Sequence, residues 1–226
     1  MSSIELLPEE VLLDIFGNLD VKDLGYCAQA CKKFRKVSLD ETLWQKLNLD
    51  EKEVPSQFLE QAISRGLTFL SFRCAKVTGN LFWPSKENSV KYLNISGSNS
   101  WGYKVHEEDL MDLVSCSNSL EKLSLSYLPL RNPVIIEAIV QNGKSLKVLD
   151  LFDCKPTSQT IEKIVDNCVQ LKEVNFTYTH LSKEAIDYIC DHLTSNIMVI
   201  LVVEFQREIS KLDRFVDKIQ YSKWIT

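Results

Sequence analysis

With 226 residues, 45% of them apolar and 25% charged, the chain can bury a sizeable core in one or two domains and has the balance of an ordinary globular protein. A net charge of −5 and a pI near 5.3 exclude the strong basic excess of a general nucleic-acid binder. The longest uncharged apolar run, Ile197–Val203 (IMVILVV), is far short of the ~20 residues that span a bilayer, so no membrane partner is expected.

The opening MSSIELLPEE has neither the basic start nor the apolar core of a secretory leader. Seven cysteines, an odd number in no compact framework, point to a reducing compartment, cytoplasmic and/or nuclear. The sequons at Asn94 and Asn175 fall in expected strands and read as chance matches.

In chain order, Leu7–Leu19 (LPEEVLLDIFGNL) comes first, an amphipathic helix with Leu12, Ile15, Phe16 and Leu19 on one stripe. Pro8 suits its first position, and Glu9 and Glu10 complement its dipole. A second helix should follow Asp20, carrying Val21, Leu24 and Cys27. A third should run to about Val37, carrying Cys31 and Phe34. Cys27 and Cys31 stand one helical turn apart, but no His or second Cys pair joins them, so packing is expected rather than a metal. The basic stretch Cys31–Lys36 (CKKFRK) reads as a solvated helix face. Three short helices offer more apolar surface than they can bury among themselves. Some of it should pack on the first repeat, leaving the rest to a partner.

From Trp44 onward one pattern recurs, with apolar residues at the first, fourth and sixth positions: WQKLNL, LTFLSF, VKYLNI, LEKLSL, LKVLDL, LKEVNF and IMVILV. Successive starts are 23, 23, 30, 26, 25 and 26 residues apart, the range of leucine-rich repeats with one loop insertion. Each copy supplies a short, half-buried strand. Helical stretches lie at Pro133–Gln141, Gln159–Asn167 and Lys183–His192, with Asn132 and Ser182 as N-caps. Cys116, Cys154, Cys168 and Cys190 fall at packing positions of the repeats. The fold class is therefore α/β. Three N-terminal helices lead into a leucine-rich-repeat solenoid of about seven short parallel strands on the concave face, with helices on the convex face.

Residues alternating with the buried leucines should line the concave face: Arg73, Tyr92, Ser126, Asp150, Phe152 and Thr177, with Tyr127 and Tyr178 at strand ends. Phe152 is expected to be exposed beside Asp150, an aromatic anchor for a protein substrate. In the last strand Val199, Leu201 and Val203 are expected on the same face, where their apolarity calls for a cover. REISKLDRFVDKI, with Ile209, Leu212, Phe215, Val216 and Ile219 at helical spacing, could supply it. Trp83, Trp101 and Tyr103 read as loop anchors. His106, His180 and His192 lie on separate repeats, and Glu107-Glu108-Asp109 sits in a first helical turn. No nucleophile–base pair or metal motif emerges, so a non-catalytic protein without cofactors is expected.

The stretch from Leu7 to Leu49 resembles an F-box, through Leu7-Pro8, Ile15-Phe16, Leu19, Cys31 with Phe34, and Leu43-Trp44. It departs from the family pattern at Ala30, where Val is usual, and at Phe34, where Trp is usual. The direct passage through LWQKLNL into repeats resembles the F-box/leucine-rich-repeat proteins, with a shortened repeat array. That resemblance implies a receptor subunit of a ubiquitin ligase that leads its substrate to ubiquitination and proteasomal degradation. Its partners would be a Skp-type adaptor and, through it, cullin and RING subunits. By the same resemblance Leu7, Pro8, Leu12, Ile15, Leu19, Leu24, Cys31 and Phe34 would bind the adaptor. The concave face carries few cations, chiefly Lys46, Arg73 and Lys122, so a phosphorylated target would call for an accessory phosphate-binding protein. A leucine-rich-repeat scaffold outside any ligase, and a shortened protein that occupies the adaptor without presenting substrate, are the alternatives. The expected division is F-box 4–49, repeats 44–205 and a helical cap 206–226.

Overall fold

The computed structural model describes residues 3–79, 88–97, 112–128, 130, 133–193 and 197–200. A 3-10 turn, Ser3–Leu6, precedes α1 (Glu9–Phe16), α2 (Val21–Ala30) and α3 (Lys32–Ser38), and a second turn, Glu41–Trp44, leads out of them. Pro8 is the N-cap of α1 rather than its first residue. Its ψ of 155° is extended, and its carbonyl accepts the Leu12 N–H at 3.1 Å. The Asp20 carboxylate caps α2 by accepting the Asp23 N–H at 2.8 Å. Extended backbone at Cys31 separates α2 from α3, and its Sγ accepts the Phe34 N–H at 3.4 Å.

Beyond Trp44 the chain alternates strands and helices: β1 (Lys46–Asn48), β2 (Glu53–Pro55), α4 (Ser56–Ser64), β3 (Phe69–Ser71), β4 (Lys76–Thr78), β5 (Tyr92–Asn94) and β6 (Lys122–Ser124). Then come α5 (Pro133–Gln141), β7 (Val148–Asp150), α6 (Ser158–Asn167), β8 (Glu173–Asn175), α7 (Lys183–His192) and β9 (Met198–Ile200). Seven strands form one parallel sheet in the order β1-β3-β5-β6-β7-β8-β9, so each expected LxxLxL copy contributes its strand. A small parallel pair, β2 with β4, lies outside the repeat pattern. Of the two N-caps expected in the repeats, Ser182 holds, accepting the Ala185 N–H at 3.2 Å. Asn132 lies outside the described residues.

Strand register builds the core directly. Leu47, Leu70, Leu93, Leu123, Leu149, Val174 and Val199 pair in one continuous row, none more than 2% exposed. A second inward row runs through Leu49, Phe72, Ile95, Leu125, Leu151 and Phe176. Two residues beyond each member of that second row, the backbone turns through the left-handed region at Glu51, Cys74, Gly97, Tyr127, Asp153 and Tyr178. The repeat thus fixes backbone conformation as well as side-chain type. On the convex side α5, α6 and α7 pack side by side. After α5 the chains come closest: a Cβ on Gly143 would lie 2.4 Å from the Asn167 carbonyl oxygen.

The last repeat corrects an expectation. Val199 pairs with Val174 in the inward row and is 2% exposed, so the strand sits one residue out of the expected register. A one-residue slip exchanges the two faces of a strand. In a run as uniformly apolar as IMVILVV no polar residue marks the register. Leu201 and Val203, the expected cap 206–226, and Trp83, Trp101, Tyr103, His106 and Glu107–Asp109 lie outside the described residues.

Candidate binding surfaces

The N-terminal helices close around four buried side chains, Leu12, Phe16, Leu24 and Val37. Leu7, Leu13, Leu19, Cys27, Phe34 and Leu43 pack partly buried against them. Phe34 meets Phe16 edge-on with ring centroids 5.2 Å apart. Burial pushes the Cys27 thiol above its ordinary range, as befits a packing residue. The basic stretch on α3 serves α1: Lys36 pairs with Glu9 at 2.7 Å, and the Lys33 ammonium donates to the Leu7 carbonyl. Trp44 ties the helices to the repeats. Its indole N–H donates to the Ser38 carbonyl at 2.8 Å, and its ring lies against Phe58 of α4 and under Arg65.

So compact a core leaves much apolar surface outside. Ile4, Leu6, Val11, Ile15, Tyr26 and Leu39 are exposed, with Leu6 at 74%. At the break between α2 and α3, Ala28, Gln29, Cys31, Lys32, Arg35 and Leu39 line an open hollow of about 510 Å³. Among the eight residues expected to bind the adaptor, Pro8 and Ile15 are exposed, and Leu7, Leu19, Cys31 and Phe34 are half-buried. Leu12 and Leu24 correct the expectation: at 0% and 2% exposure they face the helical core and shape the surface only from beneath. Helix α1 carries two adjacent apolar stripes. Leu12 and Phe16 turn inward, Val11 and Ile15 outward, and spacing alone does not say which is which. For the same reason the sequence pattern passes over Ile4, Leu6, Val11, Tyr26 and Leu39.

On the concave face a polar lattice runs between strands. The Asp150 carboxylate accepts from the Ser124 and Ser126 hydroxyls at 2.9 and 2.7 Å, from the Asn175 amide at 2.9 Å and from the Phe152 N–H at 3.2 Å. Asp50 plays a similar part near the first strands, accepting from the Ser71 hydroxyl at 2.6 Å and the Arg73 N–H at 2.9 Å. Ser126, Asp150 and Thr177 are therefore buried by their own neighbours, contrary to the expectation of an open face. Arg73 is exposed and paired with Asp50 and Glu51. Tyr92 is half-buried, stacked on Phe69 with centroids 4.2 Å apart. Its phenol is pushed up by burial first, then by the charges of Asp50 and Asp150.

Phe152 is half-buried rather than exposed, because two tyrosines flank it. Tyr127 and Tyr178 stand 5.1 and 5.2 Å from its ring, each 48% exposed. Of nine exposed large apolar or aromatic side chains among the described residues, six lie on the N-terminal helices and turns and two in this aromatic trio. The cysteines serve the core. Cys154 donates to the Leu125 carbonyl at 3.1 Å, Cys168 caps α6, and burial pushes both thiols up to about 12.

Residues 4–50 match the F-box-like family. Over 194 residues the chain is 26% identical to F-box/LRR-repeat protein 5 of Danio rerio, covering 83% of this chain and 26% of that protein. It is 21% identical over 203 residues to F-box/LRR-repeat protein 21 of Mus musculus, covering 80% of this chain and 47% of that protein. A shorter match, 31% identical over 87 residues, covers 38% of this chain and 14% of F-box/WD repeat-containing protein 8 of Homo sapiens. The chain thus spans less than half the length of each of these relatives. With helices that match the F-box-like family in sequence, joined through Trp44 to a seven-strand repeat sheet, this chain is similar to the F-box/leucine-rich-repeat proteins.

Proposed function

We propose that the chain is the substrate-recognition subunit of a Skp–cullin–F-box ubiquitin ligase. The N-terminal helices hold the Skp-type adaptor, and through it the cullin and RING subunits. The repeats hold the protein to be ubiquitinated and degraded. One observation carries the reading: six exposed apolar side chains crowd onto residues 4–39, more than the described repeats present in all. Apolar surface on that scale asks for a cover. Each Ile, Leu or Val fully buried by a partner contributes about 1.5–3 kcal/mol.

The chain contributes no bond-making step in this role. Holding a target lysine beside a ubiquitin thioester replaces a bimolecular encounter with an effectively intramolecular one, and the acceleration comes from that raised local concentration. The half-buried Phe34 and the small Ala30 leave the apolar face uncharged, which favours retained adaptor binding.

The test is binding of purified Skp-type adaptor to the full chain beside Val11→Asp/Ile15→Asp. Both residues are exposed, so circular dichroism and the melting curve should stay as in the wild type. Wild-type binding lost by the folded variant is the expected result. Failure of the wild-type chain to bind adaptor overturns the ligase reading.

A further inference from the structure

The aromatic trio that follows β6, β7 and β8 has acidic neighbours. The Asp150 carboxylate accepts the Phe152 N–H, Asp153 holds the turn position between those of Tyr127 and Tyr178, and Glu173 shares the concave face of β8. None of the seven ion pairs among the described residues uses any of these three carboxylates. Several acids on the earlier strands are paired instead: Asp50 and Glu51 by Arg73, Glu53 by Lys76, and Glu121 by Lys91 and Lys147. Lys122 stands two strands from Glu173 in the same row, and Lys155 comes just after the turn at Asp153.

The tyrosines themselves are odd choices for their positions. Tyr127 and Tyr178 have φ of 68° and 56°, a region unfavourable for bulky side chains. The corresponding turn residues are Glu51, Cys74, Gly97 and Asp153, smaller or polar side chains of which Gly and Asp accept this conformation readily. Because the solenoid imposes the turn on every repeat, nothing local asks for tyrosine there. Both rings are nevertheless kept half in solvent, on either side of one phenylalanine.

We propose that this cluster receives a cationic side chain, arginine above all, from the segment of the protein that the repeats recruit. The inference rests on the reading of the repeats as the target-binding end and names the chemistry of that target. A guanidinium laid across Tyr127, Phe152 and Tyr178 meets the negative faces of the rings, while Asp153 supplies a carboxylate that no ion pair among the described residues engages and the buried, hydrogen-bonded Asp150 adds to the negative field. The field is felt by neighbouring groups. Burial pushes the Glu173 carboxyl up, Lys122 pulls it the other way, and Asp150 adds to the rise. A phosphorylated segment would meet like charge here.

The experiment uses the full chain and three synthetic peptides of one length: alternating glycine and arginine, the same with neutral citrulline for arginine, and the same with phosphoserine. Binding is followed by calorimetry, with adaptor binding measured on the same preparation. The arginine peptide should bind about tenfold more tightly than the citrulline peptide, a margin of the size expected of a cation over aromatic faces. In Tyr127→Gly/Tyr178→Gly that margin should vanish while the melting temperature holds or rises, since glycine relieves both turns. Equal behaviour of the arginine and citrulline peptides toward the wild type, including no binding by either, overturns the proposal. So does tighter binding of the phosphoserine peptide, or a margin that survives in the double-glycine variant. Adaptor binding distinguishes the levels: its retention alongside a failed peptide preference rejects the cationic site and leaves the ligase reading standing.

Discussion

The two halves of this protein solve the same shortage of core in opposite ways. Three helices close on four buried side chains and leave six large apolar ones outside. The repeats bury two unbroken rows of apolar residues by stacking strand on strand, and among the described residues expose only Tyr127, Val169 and Tyr178 of that kind. A module of a few dozen residues leaves part of its apolar surface outside its own interior, and the proposed docking surface is that remainder. A solenoid completes its interior by repetition, so anything exposed on it has been added at the rim. Binding therefore has a different signature in each half: the apolar excess on the helices, and the exceptions to the pattern in the repeats.

The heaviest loss separates the halves. Leu149→Ala removes an interior member of the inward row, at 0% exposure between Leu123 and Val174, and should cost about 2–5 kcal/mol in urea unfolding. If the halves hold separate cores, adaptor binding at low denaturant survives that loss. Parallel loss of adaptor binding would mean one cooperative unit, with Trp44 as the conduit.

Alkaline titration addresses chiefly the repeats, where the largest thiol shifts lie. Cys154 and Cys168, both in the repeats, have thiols pushed up to about 12 by burial. The unfolded chain loses these protons near pH 9 and the folded chain does not. Their contribution is therefore intact below pH 9 and is lost as pH rises toward 12, at about 1.4 kcal/mol per pH unit per thiol. Cys154→Ala should reduce that slope by about 1.4 kcal/mol per pH unit, measured from unfolding curves between about pH 9 and 10.5. A slope unchanged in the variant would remove this thiol from the account.

A slighter change is expected on the helices. Lys36→Gln breaks an exposed ion pair with Glu9 and should change stability by no more than about 0.5 kcal/mol. A larger loss would mean that the helical half depends on polar ties that its small core cannot replace.

The repeats are legible in the sequence because a leucine period survives loop insertions, and six of the seven strands lie where LxxLxL places them, with β9 one residue away. Register is lost only at β9, where the residues that would mark a solvent face are apolar too. On α1 the period locates the helix but cannot rank two adjacent apolar stripes, so Leu12 reads as outward and Val11 goes unmarked. The parity of the concave face is legible, since Ser126, Asp150, Phe152 and Thr177 do alternate with buried apolar residues. Its depth is not, because burial of short polar side chains depends on hydrogen bonds across strands such as Asn175 to Asp150. The β2–β4 pair, three residues each, carries no alternation long enough to read.

The strand order also governs how the chain is made. After β1, every strand of the main sheet pairs with the one from the repeat synthesised just before it. On a ribosome the helices can close first, and each new repeat then finds its template already displayed. Assembly can thus run in chain order, and the aromatic rim is complete only once β6, β7 and β8 have been laid down in turn.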